Sequence, residues 1–340
     1  MAQMKYFYEL TISSSPHIHS PVTTQTIMRD VLIALAPAAI GGVYFFGLRA
    51  LLVMLISVAG CVFFEWLCSK MMKFTCKVYD LSAAVTGLLI AMVCPPTVPY
   101  WCILVADFFA IVVVKQLFGG VGRNLVNPAL AARAFLFSWP ALMTTWVKPG
   151  FMNNMQLLTV AETPVQNLDA LTSATPLAAM KAGQLPAEGL MDMLWGNIGG
   201  CIGETSVILL VIGFAWLLLR RVVSLRIPVA FMGTVAVLTV LFPRGGQDNL
   251  TWMLYSLCSG GLVLGALFMA TDYVTSPVTK LGQVIFGIGC GVLTVVIRYF
   301  GGYPEGVSYA ILSMNCCVVL LDRVGRPKKF GTVKKGVAKG

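Results

Sequence analysis

Long apolar runs separated by short polar breaks fill this chain, and ten of them have the length of helices in a membrane bundle. The first five run approximately Val31–Gly47, Leu51–Leu67, Leu81–Cys94, Trp101–Val114 and Pro128–Val147. The other five run Ser206–Leu219, Ile227–Phe242, Leu250–Ala270, Leu281–Ile297 and Val307–Leu321. These runs predict an all-α integral membrane protein of about ten transmembrane helices, with one long connection from about Lys148 to Thr205.

Lysine and arginine set the orientation. With the N-terminus inside, the inner loops and tails collect 18 of them and the outer loops only 5 (Arg49, Lys148, Lys181, Arg244 and Arg298), while Arg133 falls within a span. Both termini are then cytoplasmic and the long loop is extracytoplasmic. Five helices per half is an odd number, so related halves must be inverted in the membrane. The segment Thr86–Pro99 aligns without gaps on Leu264–Pro277, matching Gly87 with Gly265, Thr97 with Thr275 and Pro99 with Pro277. Farther on, Gly119-Gly120 and Gly301-Gly302 follow in turn. Paired segments interrupted by proline and glycine predict broken helices around a central site. The expected division is a cytoplasmic segment (1–27), a first membrane repeat (28–147), the outer loop (148–205), a second repeat (206–321) and a basic cytoplasmic tail (322–340).

Composition agrees with lipid as the solvent. Hydrophobic residues make up 58% and charged residues 11% of the 340, too few charges to cover a water-facing surface. The net charge of +10 sits in loops and the tail, so it predicts contact with membrane lipid and no nucleic-acid partner. The ten cysteines lie mostly inside apolar runs without a CxxC or a Cys/His cluster, which predicts buried thiols and no metal site. The first 22 residues hold no apolar core of the kind a signal peptide needs.

Charges inside spans are costly and point to function. Asp107 is the most central, followed by Glu65 and Arg133. Asp107 and Glu65 are candidates for an ion pathway, and Asp107 is alternatively a structural partner of Arg133. Asp30, Asp272, Lys115 and Arg298 fall at helix ends, where capping or snorkelling is expected. In Gly119–Phe135, glycine turns and Asn124 lead to Asn127 as N-cap with Pro128 at the first helical position. Free N–H groups at that start suit a flavin phosphate or ring carbonyl, so Asn124 and Asn127 are candidate cofactor contacts. The outer loop carries Asp169-Ala170-Leu171-Thr172-Ser173-Ala174-Thr175-Pro176, which taken alone reads as a turn with Thr175 capping a helix.

Asp169 to Thr175 also resembles the flavinylation motif Asp-x-x-Ser/Thr-Gly-Ala-Ser/Thr, with Ser173 where glycine is commonest. Together with Gly119–Ala129, Phe268–Pro277, Ile297–Asn315 and Leu321-Asp322, it makes the chain similar to the D subunit of Rnf electron-transport complexes, from about Ser15 to Asp322. Tyr273 stands where that family commonly has proline. The B subunit of the sodium-pumping NADH:quinone reductase is the nearest alternative, and it carries a longer N-terminal extension. The resemblance implies two inverted five-helix repeats in a urea-transporter-like fold in a bacterial or archaeal cytoplasmic membrane. It implies FMN joined covalently to Thr175 by a flavin transferase, with Asp169, Thr172 and Ser173 as recognition residues, and a non-covalent riboflavin as a further cofactor. The chain is then an electron carrier without catalytic residues of its own, and it reaches ferredoxin and NAD only through the other Rnf subunits. A small-solute channel is the rival of a different class, which the broken helices alone would also support.

Overall fold

The structure is a computed structural model that describes residues 22–73, 78–143, 145–147, 175–204, 206–244, 246, 248–302 and 305–324. The described residues are all-helical and include no β-strand. Helix α1 (Thr24–Phe46) starts at Thr23, whose hydroxyl accepts from the Thr26 N–H, and ends at Gly47. Gly47 has φ +77°, a conformation that glycine adopts at little cost, and it turns the chain directly into α2 (Leu48–Met71). After α3 (Ser82–Met92), a break with Pro95, Pro96 and Pro99 leads into α4 (Tyr100–Phe108), which continues as a π-helix through Gln116. Then come α5 (Pro128–Leu136), α6 (Pro140–Met143), α7 (Pro176–Lys181) and α8 (Leu190–Trp195). The second half holds α9 (Val207–Leu219), α10 (Arg226–Leu241), α11 (Asn249–Cys258), α12 (Leu262–Leu264, continued as a π-helix to Met269), α13 (Lys280–Phe300) and α14 (Val307–Val324).

Eight of the ten expected spans each coincide with one continuous helical stretch, the largest shift being the start of α1 seven residues before Val31. Two differ. The run Pro128–Val147 is helical only to Leu136 before a break and the short α6, because Pro140 has no N–H to continue the ladder. The run Leu250–Ala270 is α11 and α12 bent by 66° at Ser259-Gly260-Gly261, where Gly260 has φ +67°. By length and composition α1, α2, α13 and α14 can each cross a membrane, and the bent α11–α12 pair makes a fifth such span. Helices α3, α9 and α10 are apolar but shorter.

Helix α2 packs on α3 and α4, and α10 packs on α11 and α13. The halves meet where α1 lies along α9 and where α5 meets α14. Close approach needs glycine at these contacts: a methyl on Gly213 would run into the carbonyl of Ala34, and one on Gly87 would sit 2.6 Å from the Ser57 carbonyl oxygen. Leu35, Ile90, Met92, Ile103, Ile111 and Phe231 form the fully buried centre.

Candidate functional site

Three polar clusters interrupt this apolar interior. The first surrounds Asp107, which is 0% exposed on α4. Its Oδ1 accepts from Ser57 Oγ at 2.7 Å and Cys61 Sγ at 3.3 Å, both on α2, while Oδ2 has no partner among the described residues and faces Gly60. The Ser57 hydroxyl also reaches the Gly87 carbonyl at 2.9 Å, so a backbone oxygen of α3 stands beside the carboxylate. Arg133 is not its partner, which closes that alternative.

In the second cluster, Glu65 Oε1 accepts from Lys115 Nζ at 2.8 Å, with both side chains 2% exposed. Gln116 adds a donor at 3.1 Å, and Lys115 also meets Ser82 Oγ at 2.8 Å. Lys115 therefore does not snorkel: the π-helix that ends α4 turns its ammonium inward to a carboxylate. Of the other helix-end charges, Asp30 is ion-paired, whereas Arg298 and Asp272 serve the end of α11 and a turn, as capping groups do. Asp30 is buried and accepts from Arg220 Nε at 3.1 Å. Arg298 is buried and donates to the carbonyls of Ser256 (2.7 Å), Ser259 (3.1 Å) and Glu305 (3.4 Å). Asp272 accepts from Thr275 Oγ1 at 3.1 Å. Beside the Glu65 cluster opens a cleft lined by Ser82, Lys115, Asn124, Asn127, Phe268 and Asp272. Asn127 caps α5 as expected, its Oδ1 accepting from Ala129 N (3.0 Å) and Leu130 N (3.4 Å). Those two N–H groups are thereby taken, which removes them as anion donors. Asn124 Oδ1 is buried without a partner among the described residues.

The third cluster was invisible in the sequence. Arg133, 1% exposed on α5, donates to Glu204 Oε1 at 2.8 Å, to Cys201 Sγ at 3.3 Å and to Glu305 Oε2. Glu204 precedes α9 and Glu305 precedes α14, so one guanidinium ties three parts of the chain. Burial, with the Glu204 side chain adding to it, pushes the Glu305 carboxyl up to about 8, against the opposing pull of Arg133. Both residues read as loop positions. Only Arg133, a lone buried cation needing carboxylates, hinted at them.

These carboxylates share a cleft with Thr175, Pro176, Leu177, Phe137, Trp146 and Ile198. Thr175 is half-buried and is the N-cap of α7: its Oγ1 accepts from the Ala178 N–H at 3.3 Å, with Pro176 at the first position. The helix docks by Lys181 donating to the Gly302 carbonyl and by Ser259 Oγ meeting Met180 Sδ at 3.4 Å. Asp169, Thr172 and Ser173 lie outside the described residues. Among the described residues, no group of three or more His, Cys, Asp or Glu could hold a metal ion.

A helical protein with several membrane-length apolar helices, buried ion pairs and two polar clefts is the class these features define. The particular family follows from comparison: the family described as "NQR2, RnfD, RnfE family" matches residues 11–331, and the chain belongs to it. The chain is 44% identical over 329 residues to the D subunit of a Na(+)-translocating ferredoxin:NAD(+) oxidoreductase complex of Acetobacterium woodii, covering 96% of each. It is 41% identical to the D subunit of a proton-translocating ferredoxin:NAD(+) oxidoreductase complex of Clostridium ljungdahlii, over 95% of this chain and 96% of that one. The D subunit of an ion-translocating oxidoreductase complex of Stutzerimonas stutzeri is 38% identical, covering 91% and 93%.

Proposed function

We propose that this chain is the membrane electron-carrier subunit of an Rnf-type ferredoxin:NAD oxidoreductase complex, and that FMN is joined through its phosphate to the Thr175 hydroxyl. Near full-length similarity to three relatives named as D subunits supports the complex. The observation that carries the flavin site is the use made of Thr175 Oγ1. Among the described residues it serves only as an acceptor, from the Ala178 N–H, so exchanging its hydrogen for phosphorus removes none of the bonds they make. The adjoining cleft has Phe137 and Trp146 as aromatic walls for a planar ring. Bound there, the flavin supplies one- and two-electron chemistry, and the protein supplies position and electrostatics.

The order of elements favours two inverted five-helix repeats in a ten-span, urea-transporter-like bundle. Short α3 and α12 each precede a proline-containing break and a further helix, α4 or α13, followed by the glycine pairs. Gly119 and Gly301 are 182 positions apart, and so are the buried Arg133 and Asn315. Asn315 bridges Asn127 N at 3.2 Å and the Thr275 carbonyl at 3.0 Å, as Arg133 bridges loops of the other half. The lysine and arginine bias places both termini in the cytoplasm and the Thr175 loop outside, where an exported flavin transferase acts. Asp107, with one oxygen unpartnered, and the ion-paired Glu65 are the proposed ion-handling groups. The unpartnered Asn124 Oδ1 marks its cleft as the proposed seat of the non-covalent riboflavin.

Flavin fluorescence of the denatured subunit in a gel tests the central assignment. A fluorescent band in wild type that is lost in Thr175→Ala is expected; a dark band from wild type matured with its flavin transferase refutes it.

A further inference from the structure

The acidic floor of the Thr175 cleft holds two adjacent carboxylates that the electron-carrier reading leaves unused. Arg298 spreads its guanidinium over the carbonyls of Ser256, Ser259 and Glu305, so it meets backbone and no carboxylate oxygen. Among the described residues, Arg133 is the cation in contact with both carboxylates, Glu204 and Glu305, whose side chains are 6% and 14% exposed, while Arg298 acts on them through space. The two flank one glycine: the Oε1 of Glu305 lies 2.8 Å from where a Cβ on Gly261 would be, and the Oε1 of Glu204 is nearer still. Among the described residues, Arg133 Nε has no hydrogen-bond partner, and the Glu305 side chain lies against that of Glu204. The remaining titratable group facing the pair is Cys201 in the turn before α9, with Cys94 of the α3 break behind it. Two desolvated carboxylates side by side repel each other, and one shared proton relieves that repulsion.

We propose that Glu204 and Glu305, held by Arg133, form a proton-exchanging pair on the floor of the Thr175 cleft that takes up one proton when an electron enters the cleft. The proposal rests on Thr175 as the flavin site. The electron, delivered by the partner subunits, adds one negative charge to the cleft; the proton comes from cleft water and becomes a carboxyl O–H between Glu204 and Glu305. When the electron leaves, that O–H bond breaks and the proton returns to water, so charge balances in both directions. The raised affinity of Glu305 for a proton places the exchange at mildly alkaline pH. Below about pH 8 the pair already holds its proton in the oxidised state, and above that value the arriving electron draws it in.

Infrared difference spectroscopy of the whole complex tests this in two steps. In the oxidised complex, raising the pH from about 6 to about 10 is expected to remove a protonated-carboxyl band that is missing from Glu305→Gln and Glu204→Gln. Reduction at about pH 9 is expected to restore that band in wild type and Glu305→Asp only. Intact-mass measurement of the same samples reports separately whether Thr175 carries FMN. A missing adduct overturns the flavin site, whereas an adduct with no carboxyl band in wild type overturns the proton pair. A band that persists unchanged in both glutamine variants also overturns the pair. If one glutamine variant fails to assemble, the other assigns the band, and a wild-type complex with no carboxyl band overturns the pair by itself.

Discussion

Replacing Lys115 with methionine removes the cation paired with Glu65 and keeps the volume of the side chain. The 2.8 Å pair is sealed from solvent, and the carboxylate would be left with a single Gln116 donor at 3.1 Å and an Oε2 that already lacks a partner. Breaking a buried pair from one side costs about 3–5 kcal/mol, whereas exchanging both partners for apolar groups of similar size is often neutral. Lys115→Met alone is therefore expected to destabilise strongly, and Lys115→Met with Glu65→Leu is expected to recover most of the loss, a coupling of about 2 kcal/mol or more. The assay is the thermal midpoint of the detergent-solubilised complex for wild type, both single variants and the double variant. Strictly additive losses would refute the pair as a coupled unit. Single variants at the wild-type midpoint would refute the burial on which the magnitude depends.

Thr175 separates cap from attachment: Thr175→Asn keeps the N-cap and is expected to hold stability within about 1 kcal/mol while losing covalent flavin, and Thr175→Ser is expected to keep both, as read by thermal midpoint and gel fluorescence. Gly87→Ala puts a methyl 2.6 Å from the Ser57 carbonyl and 2.8 Å from Val58 Cα, so α3 must move off α2, at an expected cost of about 1–3 kcal/mol seen as lowered assembly yield. Asp107→Asn keeps the volume and the acceptor for Ser57, so the complex is expected to assemble while cation movement in vesicles drops; wild-type transport would remove Asp107 from the ion pathway. Cysteines introduced at Lys335 and Asn167 are expected to label from opposite membrane faces, and labelling of both from one face would refute the orientation.

Much of the membrane scaffold was legible because apolar runs and their proline or glycine breaks are local properties. Asn127-Pro128 and Thr175-Pro176 announce helix starts for the same reason, and both caps form. The bend at Gly260 and the interruption before Pro140 were missed because each falls inside an otherwise continuous apolar run, where hydropathy outweighs a pair of residues. Polar partnerships were the least legible. Lys115 and Glu65 stand fifty positions apart, and Arg133 meets Glu204 and Glu305 at 71 and 172 positions. Nothing local tells a buried lysine at a helix end from one that snorkels. The pairing is set by how α2 lies against α4, a tertiary property.

Peptide mapping by mass spectrometry, on the subunit purified from cells that also express the flavin transferase, tests the central claim most directly. The peptide containing Thr175 is predicted to carry one FMN mass bound through phosphate, and Thr175→Ala to carry none although it assembles at wild-type levels. An unmodified wild-type peptide, or an FMN mass that persists elsewhere in the subunit when Thr175 is alanine, would contradict the account.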